Sequence, residues 1–194
     1  MVDWVHECLP TLVTDRLILR PFTESDLDAY FELMTTPEVR SSLRLPETFA
    51  PVTAWTGMAM WLGQWELRGS GYWALEERTG GRMVGRVGLH RPPWPDWPGL
   101  EVRWTLHPEC WGLGYATEAG ARAIDFAFEV LGADEVVSVI LPENQRSQKV
   151  ARRLGFELAD ERILSFSPDL THGIWKLARP LWGQGVDPPG TTET

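Results

Sequence analysis

The alternation of apolar and polar residues predicts the strands of this protein. Residues 14–22 place Leu17 and Leu19 on one face and run into a proline, which is typical of a strand. Residues 72–77 and 83–90 flank a Thr-Gly-Gly turn, the pattern of a β-hairpin. Further strands are predicted at 100–106, 136–141, 156–164 and 172–178.

Apolar residues at helical spacing predict the intervening helices. A capping box over 23–26 begins the first helix, which we expect to end at Pro37. Further helices are predicted at 53–67, at 117–131 and from Asn144 to Leu154. The order β-α-α-β-β-β-α-β-α-β-β predicts one mixed α/β domain over residues 1–181. Residues 182–194, rich in Gly, Pro and Thr, are predicted to be a mobile tail.

Composition narrows the class of protein. The chain has 194 residues with 43% hydrophobic and 23% charged, as one globular domain does. A net charge of -9 disfavours binding to nucleic acid or to an anionic membrane. Only 11 of the 18 residues in the uncharged run 48–65 are apolar, which predicts a buried helix and not a membrane span. Two cysteines and an acidic start at 1–7 favour a cytoplasmic protein, and we expect no metal site because ligand spacing is absent.

The most informative segment is the glycine turn at 106–119. A predicted strand enters a turn with Gly112, Gly114 and Ala116, and a predicted helix follows at once. Glycine allows close backbone approach and a helix start offers free N–H groups, which favours a phosphate or pyrophosphate site. A tight turn without a ligand remains an alternative at this point. Cys110 has no obvious activating partner, so we expect a buried small residue and not a nucleophile.

A second segment, residues 144–156, reads Asn-Gln-Arg-Ser-Gln-Lys-Val-Ala-Arg-Arg-Leu-Gly-Phe and begins 30 residues after Gly114. The two segments together resemble the GNAT N-acetyltransferase superfamily, whose acyl-CoA loop reads Gln/Arg-x-x-Gly-x-Gly/Ala and whose following helix carries Asn-x-x-Ser and Leu-Gly-Phe. Residues 16–21 and 111–119 look like the RimJ/RimL-like branch in particular. The likeness covers about residues 12–180.

The resemblance implies a mixed, mostly antiparallel central sheet, splayed between two strands, with helices on both faces. It further implies that acetyl-CoA, or another acyl-CoA, lies in that opening with its diphosphate on the backbone of the turn. The implied cofactor-binding residues are Leu106, His107, Trp111, Gly112, Leu113, Gly114, Tyr115, Ala116, Thr117, Asn144, Arg146, Ser147 and Lys149. Trp111 stands where many relatives carry Gln or Arg, and we expect its indole simply to pack. For Arg146 and Lys149, a solvated helix face is the alternative.

Acyl transfer to an amine needs a base, because an amine is mostly protonated at pH 7. Glu101 is the leading candidate because similar enzymes often carry a glutamate there; pairing with Arg103 or Arg86 is the alternative. Two histidines are weaker alternatives for the base: His90 and His107. No tyrosine follows the Leu-Gly-Phe segment, so Ser147 or a water molecule is the candidate acid.

The tryptophans frame the expected acceptor site. Candidate substrate contacts are Trp61, Trp94, Trp97 and His90, whereas Trp55 and Trp65 are expected in the core. The resemblance predicts an acyl-CoA-dependent N-acyltransferase that works by direct attack in a ternary complex. The acceptor is a protein N-terminus, a lysine or a small amine. A non-catalytic acyl-CoA sensor or scaffold and a succinyl-type transferase are the alternatives, and the sequence leaves a homodimer open.

Overall fold

The computed structural model describes residues 9–46 and 48–183. Its strands are β1 (Leu12–Val13), β2 (Leu17–Arg20), β3 (Tyr72–Glu77), β4 (Met83–His90), β5 (Glu101–Leu106), β6 (Glu135–Ile140), β7 (Glu157–Leu164) and β8 (Ser167–Ala178). Its α-helices are α1 (Leu27–Thr35), α2 (Pro37–Leu43), α3 (Pro51–Arg68), α4 (Tyr115–Glu129) and α5 (Gln145–Arg153). These strands form one sheet in the order β1-β2-β3-β4-β5-β6-β8-β7.

The sheet splits between β5 and β6. These are the only parallel neighbours among the described strands, and their register consists of one pair, Glu101 with Val137. The N–H of Val137 donates to the carbonyl of Leu100 at 2.9 Å. The next N–H on that side of β6, at Val139, donates to the Glu101 carboxylate at 3.2 Å and not to a strand carbonyl. This opening beyond Glu101 and Val137, called the fork below, confirms the predicted splayed sheet.

Helices cover both faces of the sheet, as predicted. On one face α4 buries a stripe of small and aromatic residues that includes Ala123 and Phe126. On the other face α1 and α3 bury Tyr30, Met58 and Trp61. Burial of a helix stripe against each sheet face is the usual origin of a layered α/β core. None of the described helices combines the length and apolar character needed to cross a bilayer.

The structure differs from the prediction around the first helices and at two strands. Pro37 does not end the first helical region; it occupies the start of α2, where its missing N–H leaves no extra donor unpaired. Helix α2 itself was not predicted. The short β1 was also missed, and β8 begins before the predicted residue 172 because Ser167 already pairs with Leu164.

The tryptophan and tail predictions had mixed outcomes. Trp65 is buried, as expected, but Trp55 is 49% exposed, so its assignment to the core was wrong. Trp182, predicted to begin a mobile tail, instead donates from Nε1 to Asp125 at 2.8 Å and packs against Phe128. The rest of that predicted tail from 184 onward and the acidic start at 1–7 lie outside the described residues.

Candidate active site

The glycine turn presents a row of free backbone donors. Gly112 and Gly114 both have φ 82°, a left-handed conformation that residues with a Cβ rarely adopt, and α4 begins directly after them. Among the described residues, no carbonyl accepts from the N–H groups of 112–117. The N–H of Trp111 donates to Pro108 at 3.0 Å, so the expectation that it belongs to the free donors was wrong. Unpaired N–H groups at the start of a 15-residue helix suit an anion.

The loop between β1 and β2 holds this turn in place. Arg16 donates from Nη1 to the Leu113 carbonyl at 2.8 Å and from Nε to Glu118 at 2.7 Å. Thr14 donates to the other Glu118 oxygen at 2.6 Å. Burial raises the pKa of Glu118, but the hydrogen bonds from Thr14 and Arg16 outweigh it and lower the pKa overall. A charged carboxylate therefore fixes the turn, and the sequence analysis missed it because the partners are 102 residues apart.

A cavity of about 1030 Å³ runs from the turn along the fork, between α2 and α5. The predicted cofactor residues in its lining are Leu106, Trp111, Gly112, Ala116, Asn144, Arg146, Ser147 and Lys149. Arg146 and Lys149 therefore line the same cavity as Gly112 at the start of the turn.

The Trp111 indole does more than pack. It donates from Nε1 to the Leu106 carbonyl at 2.9 Å, and the guanidinium of Arg146 lies 4.4 Å above its ring. Asn144 caps α5 by accepting from the Ser147 N–H at 3.1 Å. The indole therefore connects the end of β5 with the basic start of α5.

Other members of the predicted cofactor set stand outside this lining. Four belong to the turn without lining the cavity: Leu113, Gly114, Tyr115 and Thr117. The backbone of His107 is fully used, since its N–H donates to Val84 at 2.8 Å and its carbonyl accepts from Cys110 at 2.9 Å. His107, one of the implied cofactor-binding residues, therefore has no free backbone N–H to offer the cofactor. Backbone groups alternate in direction along a strand, so the N–H groups of Trp104 and Leu106 point into the fork instead.

A smaller cavity of about 250 Å³ lies on the other side of the fork. Its lining includes Trp97, Arg103, Phe166 and His172. Both cavities share one set of lining residues: Ser42, Leu43, Arg44, Trp104, Asn144 and Ser147. Ligands in the two cavities would therefore meet beside Ser147 and Trp104.

Glu101 lies at the vertex of the fork and lines neither cavity. It is fully buried; one carboxylate oxygen accepts from Val139, and the other has no partner among the described residues. Burial raises the pKa of Glu101 to about 7, against the opposing effects of Arg103, the Val139 N–H and Arg86. A carboxyl group with a pKa near neutrality is suited to accept a proton at physiological pH.

The predicted aromatic contacts divide into two layers. Trp97 lines the smaller cavity, and Trp94 packs against it with the rings tilted by 40° and their centroids 5.8 Å apart. Trp61 and His90 line neither cavity and lie beneath, with the His90 ring 5.9 Å from that of Trp97. Burial, with Arg103 and Arg86, lowers the pKa of His90 to about 3, so this ring is neutral and a poor base. Asp96 accepts hydrogen bonds from the backbone N–H and the hydroxyl of Ser165, both at 2.7 Å. These bonds hold the loop that carries Trp94 and Trp97 against the β7–β8 turn.

Several lining residues were missed by the sequence analysis: Ser42, Arg44, Arg103, Phe166 and His172. Only Arg103 carried a signal, because it alternates with Glu101 on one face of a predicted strand. Cys110 is buried, as expected, with 2% of its surface exposed, and burial raises the pKa of its thiol.

Comparison with known families decides the assignment. Residues 16–157 match the family model described as an acetyltransferase (GNAT) domain. The chain belongs to the GNAT acetyltransferases. This family uses acetyl-CoA, and the glycine turn, the fork and the whole of α5 fall within the matched range.

Individual relatives agree with the family. The uncharacterized N-acetyltransferase YoaA of Bacillus subtilis is 26% identical over 148 residues, which cover 76% of this chain and 83% of YoaA. An acetyltransferase from Agrobacterium tumefaciens has a TM-score of 0.77 at 30% identity, covering 88% of this chain and 95% of that one. Spermidine N-acetyltransferase from Vibrio cholerae, in complex with CoA and spermine, has a TM-score of 0.69 at 15% identity over 87% and 98% of the two chains. That last likeness concerns the fold alone.

Proposed function

We propose that this GNAT acetyltransferase transfers an acetyl group from acetyl-CoA to a primary amine by direct attack in a ternary complex. The observation that carries the proposal is the meeting of the two cavities at Ser147 and Trp104. One cavity suits a long polyanion and the other a small acceptor, so a thioester and an amine would come together at one point. Holding two reactants in this way supplies a large part of a bimolecular rate enhancement.

The donor side fits acetyl-CoA through its charges. The free N–H groups of 112–117 would hold the diphosphate, and Arg146 and Lys149, which line the cavity together with Gly112 and Ala116, add positive charge. The Trp104 and Leu106 N–H groups, which point into the fork, are placed to hold the acyl end. A chain with net charge -9 needs such a local group of donors to hold a polyanion.

Proton transfers complete the reaction. The acceptor ammonium loses a proton to Glu101, and because Glu101 lines neither cavity, we place one water molecule between them. The amine nitrogen then forms the new bond to the acyl carbon while the carbon–sulfur bond breaks. The nitrogen releases its second proton as the amide forms, and Ser147, which lines both cavities, relays that proton to the departing thiolate, directly or through water, so that its hydroxyl is restored.

The RimJ/RimL-like branch is part of this proposal, with a protein N-terminus, a lysine or a small amine as acceptor. Ribosomal-protein-S5-alanine acetyltransferase from Vibrio fischeri shares the fold with a TM-score of 0.71 at 16% identity. One observation favours a second candidate, a non-catalytic acyl-CoA-binding sensor: Glu101 does not reach either cavity surface.

A thiol-release assay with a panel of amines separates these functions. Wild-type protein with acetyl-CoA should turn over at least one amine, and Glu101→Gln should lower kcat by about 10²- to 10⁴-fold, as loss of a general base does. Glu135→Gln, on the neighbouring strand and paired with Lys176, is the matched control and should keep its rate. Tight acetyl-CoA binding without turnover of any amine would support the sensor. Faster release from succinyl-CoA would point to a succinyl-type transferase.

A further inference from the structure

The smaller cavity has an unbalanced charge. Three residues in its lining can carry positive charge: Arg44, Arg103 and His172. No Asp or Glu is found among the described residues that line it. His172 is buried, and burial lowers its pKa, so this ring is neutral near pH 7. The charge of the cavity therefore comes from its two arginines.

Only one of these arginines lacks an ion pair. The guanidinium of Arg44 pairs with Glu143 at 2.5 Å on the outer rim. Within the described part of the chain, no carboxylate lies within 4 Å of the Arg103 guanidinium. Arg103 is nevertheless partly buried, and it lies on the same face of the sheet as Glu101, two residues away on β5. A guanidinium that has lost part of its hydration without gaining an anion is suited to bind one from a ligand.

The surrounding protein does not offset this charge. Arg86, 5% exposed, donates to the Tyr30 hydroxyl at 2.9 Å and lies among three aromatic rings without an ion pair among the described residues. Glu101 is the carboxyl group that acts on both Arg86 and Arg103, and it already accepts from Val139. Two guanidinium groups therefore share one carboxyl group, which leaves an excess of positive charge beside the cavity.

We infer that the acceptor carries a carboxylate next to its amine, as a free amino acid does, and that Arg103 binds that carboxylate. This inference rests on the proposed function. It disfavours polyamines, which would place further positive charge beside Arg103 with no acid to meet it. It also separates a free amino acid from a protein N-terminus, whose α-carboxyl group is tied up in a peptide bond.

The size and walls of the cavity agree with such an acceptor. A volume of about 250 Å³ is smaller than the sites of drug-sized ligands, which begin near 300 Å³. Trp97, Phe166 and Leu170 supply an apolar wall opposite Arg103 for an uncharged side chain. With the carboxylate on Arg103 and the side chain on this wall, the amine points toward Ser147, where the two cavities meet.

The test compares amino acids with their own amides. Alanine, leucine and phenylalanine, each paired with its amide, and spermidine are assayed for acetylation by the full chain. We expect kcat/KM to be about 10- to 100-fold higher for the acids, the range expected for a hydrogen-bonded ion pair. Arg103→Gln should reduce this preference to near unity. Because Arg103 also acts on the pKa of Glu101, turnover of acids and amides changes together, and the ratio between them is the readout. Comparing ratios between proteins cancels differences in amine basicity.

Two further variants serve as controls for the effect of Arg103→Gln. Arg179→Gln changes an exposed arginine that follows β8, remote from both cavity linings, and should keep the preference for acids. Arg103→Lys keeps the charge without the forked geometry and should give an intermediate preference, which tests the inference if Arg103→Gln fails to fold.

The outcomes separate this inference from the proposed function. Equal turnover of acids and amides, or fastest turnover of spermidine, would overturn the inference and leave acetyl transfer intact. If no amine is acetylated, the proposed function fails, and calorimetric titration of leucine and leucinamide into the CoA-loaded protein decides the inference. Leucine binding that is lost in Arg103→Gln would support it, and absence of leucine binding would refute it.

Discussion

The buried carboxyl group of Glu101 predicts an unusual pH dependence of stability. Burial raises its pKa from 4.5 to about 7 in the folded protein. Between these two values the folded state holds a proton that the unfolded state has released. The free energy of unfolding therefore falls as the pH rises through this window. The unfolded state gains stability by releasing the proton, whereas the folded state can release it only by burying a charge. Glu101→Gln removes the titration and keeps the shape of the neutral form.

The size of the effect follows from the pKa difference. Each pKa unit corresponds to about 1.4 kcal/mol, and most of the shift is expressed between pH 5 and pH 8. The stability of Glu101→Gln relative to wild type should therefore rise by about 2 to 3 kcal/mol over that range. For a chain of this size, the difference in Tm should grow by roughly 5 to 10 °C.

Thermal and urea unfolding at pH 5, 6, 7 and 8 measure this difference directly. The amide of Gln can still accept from Val139, whereas Glu101→Ala leaves that N–H unpaired and should cost about 1–3 kcal/mol at every pH. Glu135→Gln, at an exposed carboxylate, serves as the control for general effects of charge. A stability difference for Glu101→Gln that stays constant from pH 5 to pH 8 would refute the reasoning.

Two other substitutions test the donor side. Gly114→Val forces a β-branched residue into φ 82° beside Arg16, and should lower stability by about 1–2 kcal/mol and weaken acetyl-CoA binding measured by calorimetry. Gly132→Val at φ 66° imposes similar strain with open space around it, so it should lose stability but keep its affinity; equal affinity losses would contradict the assignment of the turn. Ser147→Ala keeps the cap of α5, because Asn144 accepts from the Ser147 backbone N–H, and should lower kcat about tenfold or less. An unchanged kcat would show that water alone protonates the thiolate.

The sequence predicted most of the sheet because local alternation and turn chemistry determine it. The observed bounds of β3 and β4 are the predicted ones, and the Thr-Gly-Gly turn that joins them is visible without any long-range information. The cap at Asn144 is equally local. Helix α2 was not predicted because its seven residues are mostly polar and begin with a proline, which was interpreted as the end of one helix and not as the start of another.

The acceptor side was harder to predict because it depends on contacts distant in sequence. Arg103, Phe166 and Arg44 line one cavity although they come from β5, the β7–β8 turn and the end of α2. Nothing in the local pattern places them together. Trp61 and His90 show the reverse: their residue types suit substrate contacts, but the packing of α3 and the register of β4 put them beneath the cavity.

The split in the sheet explains why Glu101 is both buried and chemically important. When β5 and β6 separate, each loses ladder partners, and the free peptide groups of β5 are what a thioester can use. The same separation leaves the Val139 N–H on β6 without a partner on β5, and the Glu101 carboxylate accepts its hydrogen bond instead. A residue in this position must lie at the vertex and not on a cavity wall, and it must lose most of its hydration, which raises its pKa. The geometry that opens the proposed donor site therefore also raises the pKa of a carboxyl group to near neutrality, and the Gln and Ala variants of Glu101 separate the proposed role as base from the structural role, because only Gln preserves the bond to Val139.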